Sequence, residues 1–165
     1  MNRKHGRDMI PPETFTIKPS AELAAGQFDP FDLGAFAALA GRFDIVAGYR
    51  AQRADSIIRR TNGAAWSALM RRTLDLPVRD VDCAFKLLRS SLVRDLPVAS
   101  DGAMVSAELL ARLLREGATL AEVPVRHRPR TAGRSTGARP DVIARALREL
   151  LVVRRTLPPI TAPLA

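Results

Sequence analysis

A chain of 165 residues with 47% hydrophobic content can bury one modest core and fits a single domain. Its formal charge of +9 favours an anionic partner, but only three of its 26 basic residues are lysines. An arginine bias of this kind can come from a GC-rich coding sequence, so where the arginines stand matters more than how many there are. One cysteine, Cys83, excludes an internal disulfide and a cysteine-rich zinc site and favours a reducing compartment.

The first elements follow a region without hydrophobic periodicity. Residues 1–22 hold three prolines and predict a disordered or weakly ordered leader. Asp29 can then cap a short helix that ends at Gly41 and has Phe31, Leu33, Phe36 and Leu39 on its apolar side. Residues 43–47 predict a buried strand that delivers Tyr49 and Arg50 at its carboxyl end, where an open α/β sheet places ligand contacts.

The later elements alternate between helix and strand. A helix is predicted over residues 59–74, with Ala65, Trp66, Leu69 and Met70 in the core, and an apolar strand that contains Lys86 over 83–88. A clearer amphipathic helix spans about 102–116 and ends at Gly117. Residues 120–125 predict a strand whose Pro124 favours a sheet edge or a strand end, and residues 140–157 predict a last helix. The alternation predicts an α/β fold.

Four motifs occur in a fixed order: GQFDP (26–30), DIVAGYR (44–50), RDVDCAFKLLR (79–89) and EVPVRHRPRTAGRS (122–135). Together they resemble the second half of glycosyltransferase family 2, in particular bacterial polyprenyl-phosphate sugar transferases. The resemblance covers residues 23–157 and leaves residues 158–165 as a tail. It implies a partial GT-A fold, a three-layer α/β arrangement with a small mixed sheet, whose N-terminal half is absent.

The resemblance also implies an activity and a metal. Members of the family transfer a sugar, with inversion, from a nucleotide sugar such as GDP-mannose or UDP-glucose to a polyprenyl phosphate, and use Mg²⁺ or Mn²⁺ held by a D-x-D motif. Here Leu23 and Ala25 stand at the two aspartate positions, and Gln27 is the polar group beside them. Because these ions prefer carboxylate oxygens, we expect that this chain does not hold the metal and is weakly active or inactive alone.

On the donor side, Arg50 matches the arginine that lies beside the donor diphosphate, where it would stabilise charge on the leaving phosphate. The alternative is a solvated arginine paired with Asp55. Arg59 and Arg60 open the following helix and match phosphate contacts, the alternative being a solvated basic turn.

Two aspartates follow in the third motif, and either Asp80 or Asp82 could face the donor sugar. Ala84 in the same motif replaces a glycine of the family and would keep the backbone away from a ligand.

On the acceptor side, Glu108 matches the acidic residue of the family's E-L-L segment, in a catalytic or positioning role. The alternative is an exposed Glu108 that bridges Arg112 one helical turn later. Arg130 and Ser135, in an arginine-rich loop over residues 126–139, match positions that hold the acceptor phosphate.

A second class of function stays open. The chain could be a noncatalytic basic module that binds nucleic acid or an acidic membrane surface. Nucleic acid is the less favoured partner, because the few aromatic residues stand at core-like positions instead of alternating with basic ones. We also expect self-association, since half of a doubly wound sheet would expose an unpaired strand, and a cytoplasmic protein that is at most peripheral at the membrane.

Overall fold

The structure is a computed structural model that describes residues 15–17, 29–52, 57–128 and 140–158. Within these ranges the strands are β1 (Phe15–Ile17), β2 (Ile45–Gln52), β3 (Lys86–Arg89) and β4 (Leu120–Arg126). The α-helices are α1 (Leu33–Ala37), α2 (Ile57–Leu74), α3 (Ser90–Val93), α4 (Val105–Arg115) and α5 (Pro140–Thr156). A 3-10 turn over Pro30–Asp32 leads into α1.

The described strands form one mixed sheet in the order β1-β3-β2-β4. Strand β3 is antiparallel to both β1 and β2, whereas β2 and β4 run parallel. Pro124 lies on β4 opposite Tyr49, at the edge of this sheet, where its missing N–H disrupts no ladder. The predicted α/β class and the edge position of Pro124 are therefore confirmed.

Both faces of the sheet are covered. Ile45, Ala47 and Leu88 face a core that α2, α4 and α5 complete with residues such as Met70, Leu74, Leu110, Leu113, Leu150 and Val153. On the other face, Val46 and Leu87 pack with Phe36 of α1 and with Phe85, Val123 and Val125. The rings of Phe36 and Phe85 meet edge to face at 4.6 Å. The sheet thus has a helical layer on one face, and on the other it is covered by the short helix α1 and the turn that precedes β3.

The predicted helices are present with shorter or shifted ends. Helix α4 buries Ala107, Leu110 and Leu113 as predicted, and Gly117 follows it with φ +87°, a conformation that favours glycine. Helix α1 is much shorter than predicted and buries only Phe36, while Phe31 and Leu33 are exposed. Their assignment to an apolar side was wrong because the Asp29 carboxylate accepts the Phe31 N–H and starts a tighter 3-10 turn with a different set of faces.

Two further predictions need correction. Within the predicted leader 1–22, Phe15–Ile17 forms β1 and pairs with β3; the other leader residues lie outside the described ranges. Ala65 of α2 is exposed instead of buried.

The predicted strand over 83–88 begins only at Lys86. The Lys86 amine donates hydrogen bonds to the carbonyls of Val81 and Cys83, which fold the preceding segment into a buried turn.

Gly48 allows β2 to approach this turn closely. A Cβ atom at position 48 would stand 2.9 Å from the carbonyl oxygen of Phe85 and 3.2 Å from Cys83 Sγ. Since the Gly48 N–H also donates to Phe85 O over 2.8 Å, any side chain here would push β2 away from the turn. Gly48 therefore fixes the strand position just before Tyr49 and Arg50.

Candidate functional site

A cavity of about 520 Å³ opens between the carboxyl-terminal half of β2, the first turns of α2 and the segment that precedes β3. Its size lies in the range of small-molecule sites, roughly 300–1,000 Å³. Tyr49, Arg50, Ala51, Ile57, Arg60, Thr61, Gly63, Ala64, Ser67, Arg79 and Asp80 line it. The predicted donor-side residues Arg50, Arg60 and Asp80 thus border one cavity although they come from three separate segments.

Local structure explains why these residues meet. Arg60, Ala64 and Ser67 are spaced i, i+4 and i+7 along α2, so they share one face of that helix. Gly63 has no side chain and Ala64 has only a methyl group, so both leave room beside the helix backbone. After α2 ends at Leu74, the chain turns at Asp75, whose φ is +52°, and returns Arg79 and Asp80 to the end of β2.

Arg50 and Asp80 form a buried, two-pronged ion pair at the wall of the cavity. Arg50 Nε donates to Asp80 Oδ2 at 2.6 Å, and Nη2 donates to Oδ1 at 2.8 Å. The two side chains are only 6% and 10% exposed. Arg50 is therefore not a solvated arginine, and the alternative partner, Asp55, lies outside the described residues. A fork of this kind fixes the guanidinium plane, and it also engages both oxygens of Asp80.

Arg79 is a lining residue that the sequence analysis missed. Its guanidinium lies 4.7 Å from the centroid of the Tyr49 ring, and its Nε is 3.6 Å from Glu122 Oε2. The backbone on either side is held as well, because the Arg79 N–H donates to Glu122 Oε1 and Arg71 donates to the Arg79 carbonyl. Its position directly before Asp80 in the RDVD motif was the signal that could have identified it.

The net positive charge of the cavity comes from two of its three arginines, Arg60 and Arg79. Arg50 and Asp80 cancel each other at close range, so their pair adds little net potential. Arg79 is 68% exposed and its contact with Glu122 is long, while Arg60 is exposed and makes no ion pair in the described part of the chain. The mouth of the cavity is therefore positive and suits an anionic ligand.

The other donor-side candidates lie beside the cavity. Asp82 follows Asp80 by two residues and is half-buried, but the described lining does not include it. Arg59 precedes Arg60 in α2, and its side chain lies outside the described part of the structure.

Glu108 lies in a different environment, on α4 and outside the described lining of the cavity. Its fully buried carboxylate accepts the backbone N–H groups of Ala99 and Ser100 at 3.1 and 2.8 Å. Arg112 adds a hydrogen bond from Nε at 2.8 Å. The pair with Arg112 is confirmed, whereas the exposed position in that alternative is wrong.

These contacts also fix the protonation state of Glu108. Burial, the largest single influence, would raise the pKa of Glu108, but the hydrogen bonds from Ser100, Ala99 and Arg112 together outweigh it and lower the pKa. A carboxylate with a lowered pKa and occupied oxygens is a weak base, and here it holds the loop before α4. The catalytic assignment of Glu108 stays a prediction.

The start of the arginine-rich loop is also paired. Arg128 Nη2 lies 2.6 Å from Asp29 Oδ2, and the Arg126 N–H donates to Asp32 Oδ2 at 2.9 Å. The hydrogen bond from the Phe31 N–H, with Arg128 and Arg126 nearby, lowers the pKa of Asp29 despite partial desolvation. Two arginines of the predicted cationic loop therefore tie β4 to the start of α1.

Arg130 and Ser135, the predicted acceptor contacts, lie outside the described residues.

Behind the cavity wall lie a buried thiol and a buried amine. Burial raises the pKa of Cys83 to about 11, with Lys86 and Arg50 opposing and Asp80 reinforcing the shift. A thiol that stays protonated at neutral pH is a poor nucleophile. Burial likewise lowers the pKa of Lys86, which is 1% exposed. Both side chains hold the turn that precedes β3.

The described residues do not supply a metal site. In the ranges 15–17, 29–52, 57–128 and 140–158, no three His, Cys, Asp or Glu side chains come together in a way that could hold a metal ion. Leu23, Ala25 and Gln27 lie outside these ranges, and leucine and alanine offer no metal ligand. The described residues therefore offer no donor set for the Mg²⁺ or Mn²⁺ that the resemblance implies, and the expectation at Leu23 and Ala25 stays a prediction.

No helix in the described ranges combines the length and the apolar character that crossing a membrane requires. Comparison with models of known protein families gives no match, and a search of curated proteins gives no significant match.

Proposed function

We propose that the cavity between β2 and α2 binds the diphosphate group of a nucleotide sugar, and that the chain is related to family 2 glycosyltransferases with a partial GT-A fold. The observation that carries the proposal is the convergence of Arg50, Arg60 and Asp80 on one cavity. The sequence motifs predict a donor-side role for each of these three residues.

The chemistry of the cavity fits a diphosphate. Arg60 and Arg79 provide exposed positive charge at the mouth, and Arg50 provides a guanidinium whose orientation Asp80 fixes. The hydroxyl groups of Thr61 and Ser67 can add neutral hydrogen bonds. In the proposed reaction the bond from the sugar to the donor phosphate breaks, and an oxygen of a polyprenyl phosphate bonds to the sugar. The departing nucleoside diphosphate carries the negative charge, which the arginines would stabilise.

The proposal includes weak binding and low activity. No cluster of metal-ligating side chains is found among the described residues, so in this proposal the arginines meet the charge on the diphosphate. Because one of the three arginines is paired with Asp80, we expect dissociation constants of about 1 mM. The acceptor in such a reaction is a lipid phosphate, so the proposal puts the protein in the cytoplasm, at the membrane surface.

Ligand-detected NMR can test this binding in the full chain with UDP-glucose, GDP-mannose and inorganic pyrophosphate. We expect binding of all three that Mn²⁺ does not strengthen. Arg60→Ala should weaken it about fivefold, since an exposed lining charge is lost. Arg72→Ala is the matched control, because Arg72 is an exposed arginine of the same helix that does not border the cavity.

Three results would refute parts of the proposal. Equal weakening by both substitutions would mean that the general field of the protein, and not the cavity, attracts the ligand. Micromolar binding that requires Mn²⁺ would show that a metal site exists after all. Absence of any binding at 10 mM ligand, about ten times the expected constant, would refute the donor-site proposal.

The alternative is a noncatalytic basic module, which the charge of +9 favours. It predicts that a short RNA or DNA binds more tightly than pyrophosphate, with a steep loss of affinity as salt rises. The donor-site proposal predicts that pyrophosphate binds more tightly than the oligonucleotide once each binding free energy is divided by the charge of the ligand. Fluorescence anisotropy with a labelled oligonucleotide in the same buffers decides between them.

A further inference from the structure

Helix α5 carries an exposed apolar stripe that the donor-site proposal does not use. Ile143, Leu147 and Leu151 recur every four residues and are 41%, 42% and 55% exposed. At 1.5 Å per residue the stripe is about 12 Å long. Ala146, Leu150 and Val153, on the neighbouring face, are buried in the core, so the helix cannot turn the stripe inward without losing those contacts.

The arginines of α5 differ in whether a carboxylate neutralises them. Arg145 pairs with Glu149 one turn later and with Asp101 of the loop before α4. Arg148, Arg154 and Arg155 are exposed, and no carboxylate pairs with them in the described part of the chain. At about 100° per residue, Arg154 falls in line with the stripe at its end, and Arg148 and Arg155 lie along its outer edge. The arginines next to the stripe are therefore the ones whose charge is not neutralised.

We infer that Ile143, Leu147 and Leu151, with Arg148, Arg154 and Arg155, form a docking surface for a bilayer that contains anionic phospholipid. Helix α5 would lie in the plane of the interface, with the stripe among the acyl chains and the arginines at the headgroups. Amphipathic helices of this composition bind membranes by adding apolar burial to attraction by anionic lipid. This inference concerns a surface outside the cavity and does not depend on sugar transfer.

Charge and area favour a bilayer over other occupants. A second copy packed stripe to stripe would bring two sets of three unpaired arginines together, and such like charges repel. Three half-exposed aliphatic side chains also offer far less area than the roughly 1,200–2,000 Å² that stable protein interfaces bury. Nucleic acid would leave the aliphatic stripe without a partner, because the stripe has no aromatic ring on which a base could stack.

The test is cosedimentation of the full chain with vesicles of two compositions. One contains phosphatidylcholine alone, and in the other about 30% of the lipid is the anionic phosphatidylglycerol. We expect binding only to the anionic vesicles, weakening as salt rises. The double substitution Leu147→Gln with Leu151→Gln should reduce the partition coefficient about tenfold, and Arg148→Gln with Arg155→Gln should do the same. Val152→Gln is the matched control, since Val152 is 53% exposed but lies about 100° around the helix from Leu151 and about 140° from Leu147. It should bind like the unaltered chain.

Several results would overturn the inference. One is equal binding of the unaltered chain to neutral and anionic vesicles. Another is a loss of vesicle binding in Val152→Gln as large as in the double leucine variant, and a third is unchanged binding of the double arginine variant. A dimer in sedimentation velocity that Leu151→Gln converts to monomer would assign the stripe to a second copy. Circular dichroism checks that each variant is folded. If the leucine variant unfolds, the arginine variant still tests the inference. Arg148 and Arg155 are exposed and make no ion pair with the described residues, so their replacement should leave the fold intact.

Discussion

Two arginine–carboxylate pairs, Arg50–Asp80 and Arg112–Glu108, occupy contrasting regions of the molecule. Both are buried, both have contacts of 2.6 to 2.8 Å, and each contains one residue that the sequence assigned to catalysis. The first pair borders a cavity with two further arginines at its mouth. The second is packed between α4 and the loop over residues 99–100, and Arg112 reaches on to Thr156 at the end of α5.

The contrast shows that a buried ion pair does not by itself identify a site. Breaking either pair leaves an uncompensated charge and should destabilise the fold. What differs is the surrounding space: a ligand could approach Arg50 from the cavity, whereas backbone groups already take the available oxygens of Glu108. Variants of the two pairs should therefore agree in their effect on stability and differ in their effect on ligand binding.

The largest loss of stability is expected from Glu108→Gln, at about 4 kcal/mol of unfolding free energy, because a buried Arg112 loses its counter-ion and two backbone donors lose a charged acceptor. Urea denaturation measures this loss. In a folded sample kept below the unfolding transition, pyrophosphate affinity should stay unchanged. A loss of affinity without a loss of stability would instead return Glu108 to the site.

The same pair predicts a pH dependence. The pKa of Glu108 is lowered from its usual value of 4.5, so its contribution to stability is fully present above pH 4.5 and is lost as the pH falls through the lowered pKa. The unaltered chain should therefore lose stability below about pH 4.5 more steeply than Glu108→Gln. Parallel curves for the two proteins would contradict the assignment.

Asp80→Asn should cost less stability, about 3 kcal/mol, since the amide keeps one acceptor for Arg50. The same substitution should strengthen the binding of pyrophosphate instead of weakening it. With the negative charge gone, pyrophosphate affinity should rise about fivefold, because Arg50 then adds its charge to the mouth of the cavity. Calorimetric or NMR titration of the folded variant measures this, and unchanged or weaker binding would mean that the orientation of Arg50 matters more than its charge.

Gly48→Ala tests whether the wall of the cavity depends on close approach of β2 to the turn before β3. The added Cβ would meet backbone at 2.9 Å, which cannot give way as a flexible side chain would. We expect a loss of about 2 kcal/mol and weaker pyrophosphate binding, because Tyr49 and Arg50 follow directly. Ala64→Ser on α2 is a useful contrast, since it adds one atom at the cavity without touching the sheet.

The smallest effect concerns Lys86, which holds that turn from behind. Burial lowers its pKa from the usual 10.5, so the unfolded chain binds the extra proton between the lowered pKa and pH 10.5. In that window stability should rise with pH, by at most about 1.4 kcal/mol per unit. Lys86→Met, which has no proton to lose, should lack this rise. Identical pH profiles in urea denaturation would show that burial does not lower the pKa of Lys86.

Strong periodicity made much of the fold predictable. The apolar residues of α4 and α5 repeat with a helical period, and the glycine after α4 and the proline that begins α5 marked those boundaries. In the short helix α1 the hydrophobic pattern predicted the wrong buried residues. Phe31 and Leu33 are apolar like Phe36, and the turn that Asp29 caps determines which of the three faces the sheet. Strand β1 has three residues and gains its stability from β3, which no local pattern encodes.

The site was predictable only in part, for a related reason. The resemblance assigned Arg50, Arg60 and Asp80 to one site, and these three residues do border one cavity. The motifs did not reveal that Arg50 and Asp80 bind each other across thirty residues, since a long-range pair has no sequence signature. Likewise Glu108 and Arg112 stand at i and i+4 whether that pair is exposed or buried, so spacing alone could not distinguish a surface pair from the interior one observed.

The most direct test of the donor-site proposal is a titration of the isotope-labelled chain with inorganic pyrophosphate, followed by the chemical shifts of its backbone amides. The proposal predicts that the largest shifts cluster at the cavity, at Ala64, Ser67 and Arg79, and that amides near Glu108 and along the arginine side of α5 barely move. The largest shifts at Arg148, Arg154 and Arg155, or shifts spread evenly over all exposed arginines, would contradict it.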